Sequence, residues 1–237
     1  MRIYIIRHAD PDYPNSTITE DGHQEAEVLA KRLKTYDIDK IYCSTLGRAR
    51  DTMKYTADLL NIEPEIRDWL KEVYDPLKLE DTPWGTIAAW NLPGEIIRNN
   101  ENMPERNEWY DIDHLGDQKE KIIKTYEQIK NKSDNFFESL GYKRIDGRYK
   151  IKDSSKEQIA VFTHGGFTRC WLAHLLEIPL PLVWCGFWFP PSSVTTILFE
   201  EKSDKWATPR CISLADTSHL YKAGLEVKSR GIISNYY

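Results

Sequence analysis

Hydrophobic and polar positions change their period several times along the chain, and each change marks an element. Residues 3–6 (Ile-Tyr-Ile-Ile) are an uninterrupted apolar run rich in β-branched side chains, which predicts a strand buried on both faces. After a loop of Pro, Asn and Ser residues, Thr19 is placed to cap a helix, with Glu20 and Asp21 in the first turn, where acidic groups suit the helix dipole. Ala26, Leu29, Ala30 and Leu33 give that helix one apolar face. Residues 40–43 predict a second short strand and residues 46–60 a second helix. Strand, helix, strand, helix is the order of a parallel sheet covered by helices.

From residue 73 to residue 116 the periodicity dissolves. This stretch holds prolines 76, 83, 93 and 104 and Trp84, Trp90 and Trp109, with nine acidic residues against three basic ones, a net charge of −6. A long segment with its own aromatic content predicts a lid or subdomain rather than a linker. Helical periodicity returns over 117–140, and residues 142–151 predict a hairpin around Asp146-Gly147. Residues 159–162 predict a third buried strand, 166–176 its helix, and 194–199 and 211–214 later strands. There is no internal repeat. The expected architecture is a three-layer α/β/α sandwich with a central, mostly parallel sheet, in one domain over residues 1–237 with an insertion at about 73–116.

Composition narrows the class. Hydrophobic residues at 41% and charged residues at 29% fit a soluble globular chain. The net charge of −5, with no lysine-arginine block, argues against nucleic acid or an anionic membrane as partner. Cys43, Cys170, Cys185 and Cys211 are widely spaced, with no metal-ligand pattern, which fits a reduced, cytoplasmic setting. Cys43 and Cys170 lie in apolar contexts and are expected in the core. The first residues show no signal-peptide pattern. The most apolar stretch, 178–191, holds four prolines and is too short to span a membrane.

Three islands carry candidate chemistry, each where a buried strand should end: Arg7-His8, Arg48 after Ser44-Thr45-Leu46-Gly47, and His164-Gly165-Gly166. In a parallel α/β sheet those ends meet in one crevice. Arginine binds phosphate bidentately and keeps its charge, so Arg7 and Arg48 are candidate phosphate clamps. Gly165 and Gly166 open a helix whose free N–H groups suit an anion. Two guanidinium charges disfavour protonated imidazole and keep His8 able to attack phosphorus, with His164 as a further donor. Glu72 is the candidate acid for the leaving oxygen and needs a raised pKa to serve near neutrality. Taken singly, each island is weak. Arg-His after a strand is usually incidental, Arg48 alone reads as a solvated helix residue, and Asp68, Asp75 and Glu80 rival Glu72. Their joint occurrence in a workable order is the signal. His23 reads as a polar helix position, His174 as packed in a helix, and His114 and His219 as loop residues.

These residues resemble the histidine phosphatase (phosphoglycerate mutase-like) superfamily. Arg7-His8-Ala9 is similar to its Arg-His-Gly signature, residues 19–26 to the start of its first helix, and Ser44-Thr45-Leu46-Gly47-Arg48-Ala49 with Thr52 to its second arginine motif. Leu70-Lys71-Glu72 resembles the acid-bearing segment, and Phe162-Thr163-His164-Gly165-Gly166 with Arg169 the second histidine motif. The likeness covers about residues 1–72 and 159–215. It implies His8 as the phosphorylated nucleophile, Glu72 as the proton donor, a phosphate pocket of Arg7, Arg48, His164 and Gly165, and no metal or cofactor; Asn15 is a further candidate for the pocket. Ala9 stands where the family has glycine, which implies strain if φ there is positive. The insert lacks the adjacent arginine pair that mutases of the family use for the substrate carboxylate, with Arg98 and Arg106 only single. The expected activity is therefore hydrolysis of a small phosphomonoester whose neutral or apolar remainder meets the tryptophan-bearing insert. The alternatives are a phosphoglycerate mutase and a silent phosphate-binding protein of the same fold. Residues 183–190 are open to three uses: pocket lining, core, or a dimer contact.

Overall fold

The computed structural model describes residues 1–98, 103–105, 112 and 114–232. Of the insert residues weighed above, Glu101, Arg106, Glu108, Trp109, Asp111 and Asp113 lie outside the described residues.

The strands are β1 (Arg2–Arg7), β2 (Pro11–Asp12), β3 (Thr17–Ile18), β4 (Lys40–Cys43), β5 (Glu65–Ile66), β6 (Lys78–Thr82), β7 (Gly85–Ala88), β8 (Tyr142–Ile145), β9 (Arg148–Ile151), β10 (Gln158–Thr163), β11 (Val194–Glu201) and β12 (Trp206–Asp216). The helices are α1 (Glu20–Leu33), α2 (Gly47–Leu60), α3 (Gly94–Ile97), α4 (Lys119–Ser139), α5 (Gly165–Leu176), α6 (Leu180–Gly186) and α7 (Ser218–Ala223). Eight strands form one sheet in the order β5-β4-β10-β1-β11-β12-β9-β8. The first four run parallel, and β11, β12, β9 and β8 extend the sheet antiparallel from the edge of β1.

Strand side chains alternate between the faces, and each face has its own core. Ile3, Ile5, Ile159, Val161, Ile197 and Phe199 point toward the layer of α4, α5 and α6. Tyr4, Ile6, Ile41, Cys43, Ala160, Phe162 and Val194 point toward α1 and α2, where Leu29, Leu33, Ala49 and Met53 meet them. Runs that are apolar at every position are buried on both sides, as the three-layer arrangement requires. Cys43 and Cys170 are both fully buried.

Local signals act where the sequence puts them. The Thr19 side chain accepts from the Gly22 N–H at 3.1 Å at the start of α1. Asp146 and Gly147 take positive φ, 49° and 77°, at the tip of the β8–β9 hairpin, the conformation that Asp-Gly favours. Strand β12 starts five residues before the expected 211 because its first residues pair with both β11 and β9. His219 is corrected from a loop residue to a buried position on α7, bonded to Ser192 Oγ at 3.1 Å. The insert has structure of its own, the β6–β7 hairpin and the short α3. Its Leu77, Leu79, Ile87, Leu92 and Ile97 join the same core as α4 and α5. Among the described residues no helix is long and apolar enough to cross a membrane.

Trp171 on α5 is the centre of the larger core. It packs edge-on against Trp69 at 5.5 Å, stacks on Phe137 at 6.0 Å, and donates from Nε1 to Ser133 Oγ at 2.8 Å. Trp171→Ala removes that ring and orphans the serine, so a loss of about 3–5 kcal/mol in urea unfolding is expected. A loss below about 1 kcal/mol contradicts the packing described.

The loop after β1 is fixed from beneath by Glu25, a buried carboxyl on α1 whose Oε2 accepts the Asp10 N–H at 3.0 Å. Burial pushes this carboxyl up to about 7, the Asp10 carboxylate adding to the rise and the Asp10 N–H opposing it. In the unfolded chain it titrates near 4.5, so between those values the folded state holds a proton that the unfolded state has released. Its contribution to stability is complete below 4.5 and is lost as pH rises toward 7. Glu25→Gln keeps an oxygen for the Asp10 N–H without acquiring a charge. It is expected to raise the Tm above that of the parent at pH 8 and to leave it nearly unchanged at pH 4.5. A difference that is constant with pH contradicts the buried acid.

Candidate active site

The parallel register builds the site. Arg7 pairs with Thr163 across β1 and β10, and Phe162 pairs with Cys43 across β10 and β4, so the three strands end level. The next residues, His8, His164 and Ser44, therefore fall together. His8 N donates to Thr163 O, and Ser44 N to Phe162 O, both at 2.9 Å. The two histidine rings lie 5.2 Å apart, each buried.

Two partners fix the state of His8. Its Nδ1 lies 2.8 Å from the Ala9 carbonyl oxygen, which can only accept, so Nδ1 carries the proton. Arg48 Nε donates to His8 Nε2 at 3.2 Å, which requires a lone pair on Nε2. Burial, and then the neighbouring His164, Arg7 and Arg48, push the His8 pKa well below its ordinary range and keep the ring neutral. His164 is pushed the same way, by burial and by Arg48 and Arg7. Its Nε2 bonds Ser44 Oγ at 2.8 Å, and its buried Nδ1 has no hydrogen-bond partner among the described residues.

The helix starts hold the cations. Arg48 sits in the first turn of α2, and the Thr52 hydroxyl, donating to Arg48 O at 2.7 Å and accepting from Ala9 N at 2.9 Å, ties that turn to the His8 loop. Arg7 Nη1 donates to the carbonyls of Phe189 and Arg230. Arg169 Nη1 donates to Gly165 O at 3.0 Å, one turn back along α5. Both arginines are buried, and the Nε of each has no partner. A Cβ on Gly165 would lie 3.4 Å from Arg7 Nε and 3.3 Å from Arg169 Nη1, so this glycine opens the space between two guanidiniums. Burial lowers both pKa values, Arg169 to about 10, where it remains charged at neutral pH. Among the described residues no carboxylate forms an ion pair with Arg7, Arg48 or Arg169. Buried cations without a counter-ion are costly, and an anion placed here removes that cost.

Glu72 lies at the start of α5. Its Oε1 accepts from Phe167 N at 2.9 Å and Val73 N at 3.0 Å, and its Oε2 from Gly166 N at 3.2 Å. The rival acids face elsewhere. Asp68 is exposed and paired with Lys71, Glu80 is paired with Lys78, and Asp75 is exposed.

Arg7, His8, Arg48, Glu72, His164 and Gly165 thus converge, and three expectations change. The Gly166 N–H is taken by Glu72 and does not point into open crevice. Asn15 is exposed and its side chain turns to Asp12 at 2.8 Å. Ala9 is absent from the residues with positive φ and packs, fully buried, with Ile18 and Ala26, so alanine there carries no left-handed strain. Arg169, quoted above with the second histidine motif but given no role there, gains a place at the site one turn along α5 from Gly165. The C-terminal segment gave none. Arg230 reaches back to Asp10 at 2.7 Å, and its carbonyl meets Arg7.

Comparisons with known proteins bear on the family and the fold. Residues 3–210 match the family model described as histidine phosphatase superfamily, branch 1. A probable phosphatase from Schizosaccharomyces pombe is 25% identical over 236 residues, covering 93% of this chain and 95% of that protein. A probable phosphoglycerate mutase, GpmB, from Photorhabdus laumondii is 27% identical over 123 residues; the match spans 44% of this chain and only 57% of that relative. Among solved structures, a phosphoserine phosphatase mutant from Entamoeba histolytica in complex with phosphoserine superposes with a TM-score of 0.59 at 19% identity, over 92% of this chain and 98% of that one. This last likeness is one of fold. By the span of the family match, the chain belongs to the histidine phosphatase superfamily, branch 1.

Proposed function

We propose that the protein is a phosphatase that hydrolyses a small phosphomonoester through a phosphohistidine at His8, without a metal or other cofactor. The observation that carries this reading is the state of His8: a neutral ring, protonated at Nδ1, with its Nε2 lone pair among guanidiniums that form no ion pair with a carboxylate among the described residues. The phosphoryl oxygens are held by Arg7, Arg48 and Arg169, with His164 as a further donor. His8 Nε2 attacks phosphorus as the bond to the ester oxygen breaks. Positive charge that develops on the ring is stabilised by the Nδ1–H bond to Ala9 O. Glu72 gives a proton to the departing oxygen. Water then attacks phosphorus, Glu72 takes a proton from it, the P–N bond breaks, and inorganic phosphate leaves. Positioning and charge stabilisation supply most of the catalysis in such a transfer.

The similarity to a probable mutase over part of the chain favours a second reading, transfer of the phosphoryl group back to the substrate. The cavity beside Arg169 opposes it, since a mutase must hold a polyanion through two transfers and Arg169 is the one charged wall residue among the described residues. Incubation with 3-phosphoglycerate separates the two. Phosphate release outpacing formation of the 2-isomer is expected, and the reverse favours the mutase.

His8→Ala is expected to cut phosphate release at least about a thousandfold, and Arg48→Ala about a hundredfold. Glu72→Gln should slow alkyl phosphates far more than 4-nitrophenyl phosphate, whose leaving group needs little protonation. Undiminished release by His8→Ala removes the mechanism. Equal losses of Glu72→Gln on both substrates remove the proton-donor role.

A further inference from the structure

A cavity of about 540 Å³ opens beside the Arg169 guanidinium. Three of the chain's eight tryptophans line it, Trp90, Trp184 and Trp188, with Phe187 and Ile232 completing the apolar wall. Trp90 comes from the insert, but Trp184 lies on α6, Phe187 and Trp188 directly follow it, and Ile232 belongs to the C-terminal segment. That segment is held in place by Trp188 Nε1, which donates to Arg230 O at 3.1 Å, and by the Arg230 pairing with Asp10. Despite the acidity of the insert, no carboxylate lines the cavity among the described residues, and Arg169 is its one charged wall residue.

Through two of its wall residues, Trp90 and Arg169, the cavity adjoins the reacting centre on the side of Glu72. A Cβ on Gly166 would collide with both the edge of the Trp90 ring and Glu72 Oε1, the latter at 2.6 Å. Glu72 and Trp90 therefore share one point above the start of α5. Arg169 makes the second link, with its guanidinium carbon 6.0 Å from the Trp90 ring centre while its Nη1 bonds Gly165 O. A phosphate among Arg7, Arg48 and Arg169, with its ester oxygen toward Glu72, directs the rest of the molecule past Trp90 and between the indoles.

We infer that this cavity selects phosphate esters of planar aromatic alcohols. Flat, polarisable walls favour a ring that can stack or meet them edge-on, and such contacts add to the gain from burying apolar surface. Among the wall residues a small carboxylated metabolite finds one cation, Arg169, which the phosphoryl group already engages, and Arg98 reaches only the edge of the wall at Gly186. The inference rests on the phosphatase reading of the same site.

Calorimetric titration with phosphonates, which lack a hydrolysable ester bond, tests it independently of turnover. Binding of 2-naphthylmethylphosphonate at least about tenfold tighter than methylphosphonate is expected, from one or two aromatic contacts plus buried area. Trp188→Ala and Phe187→Ala should each shrink that ratio severalfold, Phe187→Ala serving as the control that leaves the Trp188 bond to Arg230 intact. Equal affinity for the two phosphonates overturns the aromatic selection and leaves the phosphate cradle standing. Binding of neither overturns both. Tighter binding of phosphonoacetate than of the naphthyl compound also overturns the selection, in favour of an anionic remainder.

Discussion

Three guanidinium groups share one crevice at the ends of β1, β10 and β4 with no carboxylate among the described residues paired to them, and the rest of the site follows from that constraint. Burial, aided by the charges of Arg7 and Arg48, keeps His8 and His164 neutral. Two fixed partners then leave the His8 lone pair on Nε2, the nitrogen that faces Arg48. An imidazolium there would be a further cation in a space already crowded with positive charge. The glycine at 165 and the buried Nε atoms of Arg7 and Arg169 belong to the same pattern: room and donors held ready for an anion. Such an arrangement costs stability in the free protein and is held by what surrounds it: the level strand ends, the Thr52 bridge between α2 and the His8 loop, and Glu25 beneath Asp10.

Much of this was legible in the sequence because it depends on local chemistry and on strand order. Short apolar runs at residues 3–6, 41–43 and 159–162 suit doubly buried strands, and functional residues just past neighbouring parallel strands that end level are brought together. Thr19, Asp146 and Gly147 act through their own backbone geometry, so their roles needed no tertiary information. The unforeseen parts are those that depend on contacts between remote segments. The antiparallel half of the sheet arises by edge pairing of β11 to β1, which no periodicity encodes. Ala9 is unstrained because its dihedral angles, which a motif comparison does not supply, stay out of the left-handed region. Asn15 turns to a local partner, Asp12, in place of the pocket. The return of Arg230 to Asp10 and Arg7 joins residues more than two hundred positions apart.

Charge counted along a segment proved a poor guide to charge inside a cavity. The insert is acidic as a stretch of sequence, yet what it gives to the cavity wall near the reacting centre is Trp90 and its neighbours, and other aromatic walls come from α6 and the residues after it. Acidic side chains favour solvent, and an insert that packs Leu77, Leu79 and Ile97 into the main core turns many of its charges outward. Selectivity for the leaving group is therefore a property of the assembled wall.

The most direct test is to look for the bond itself. Rapid mixing with a phosphate ester, quenching in alkali, which preserves phosphohistidine, and peptide mass spectrometry report whether a phosphoryl group is attached and where. A phosphoryl group on the peptide containing His8, at Nε2 of that residue and absent from His8→Ala, is the predicted result. Turnover with no phosphorylated histidine at any quench time, or a phosphoryl group on His164 with His8 unmodified, contradicts the account.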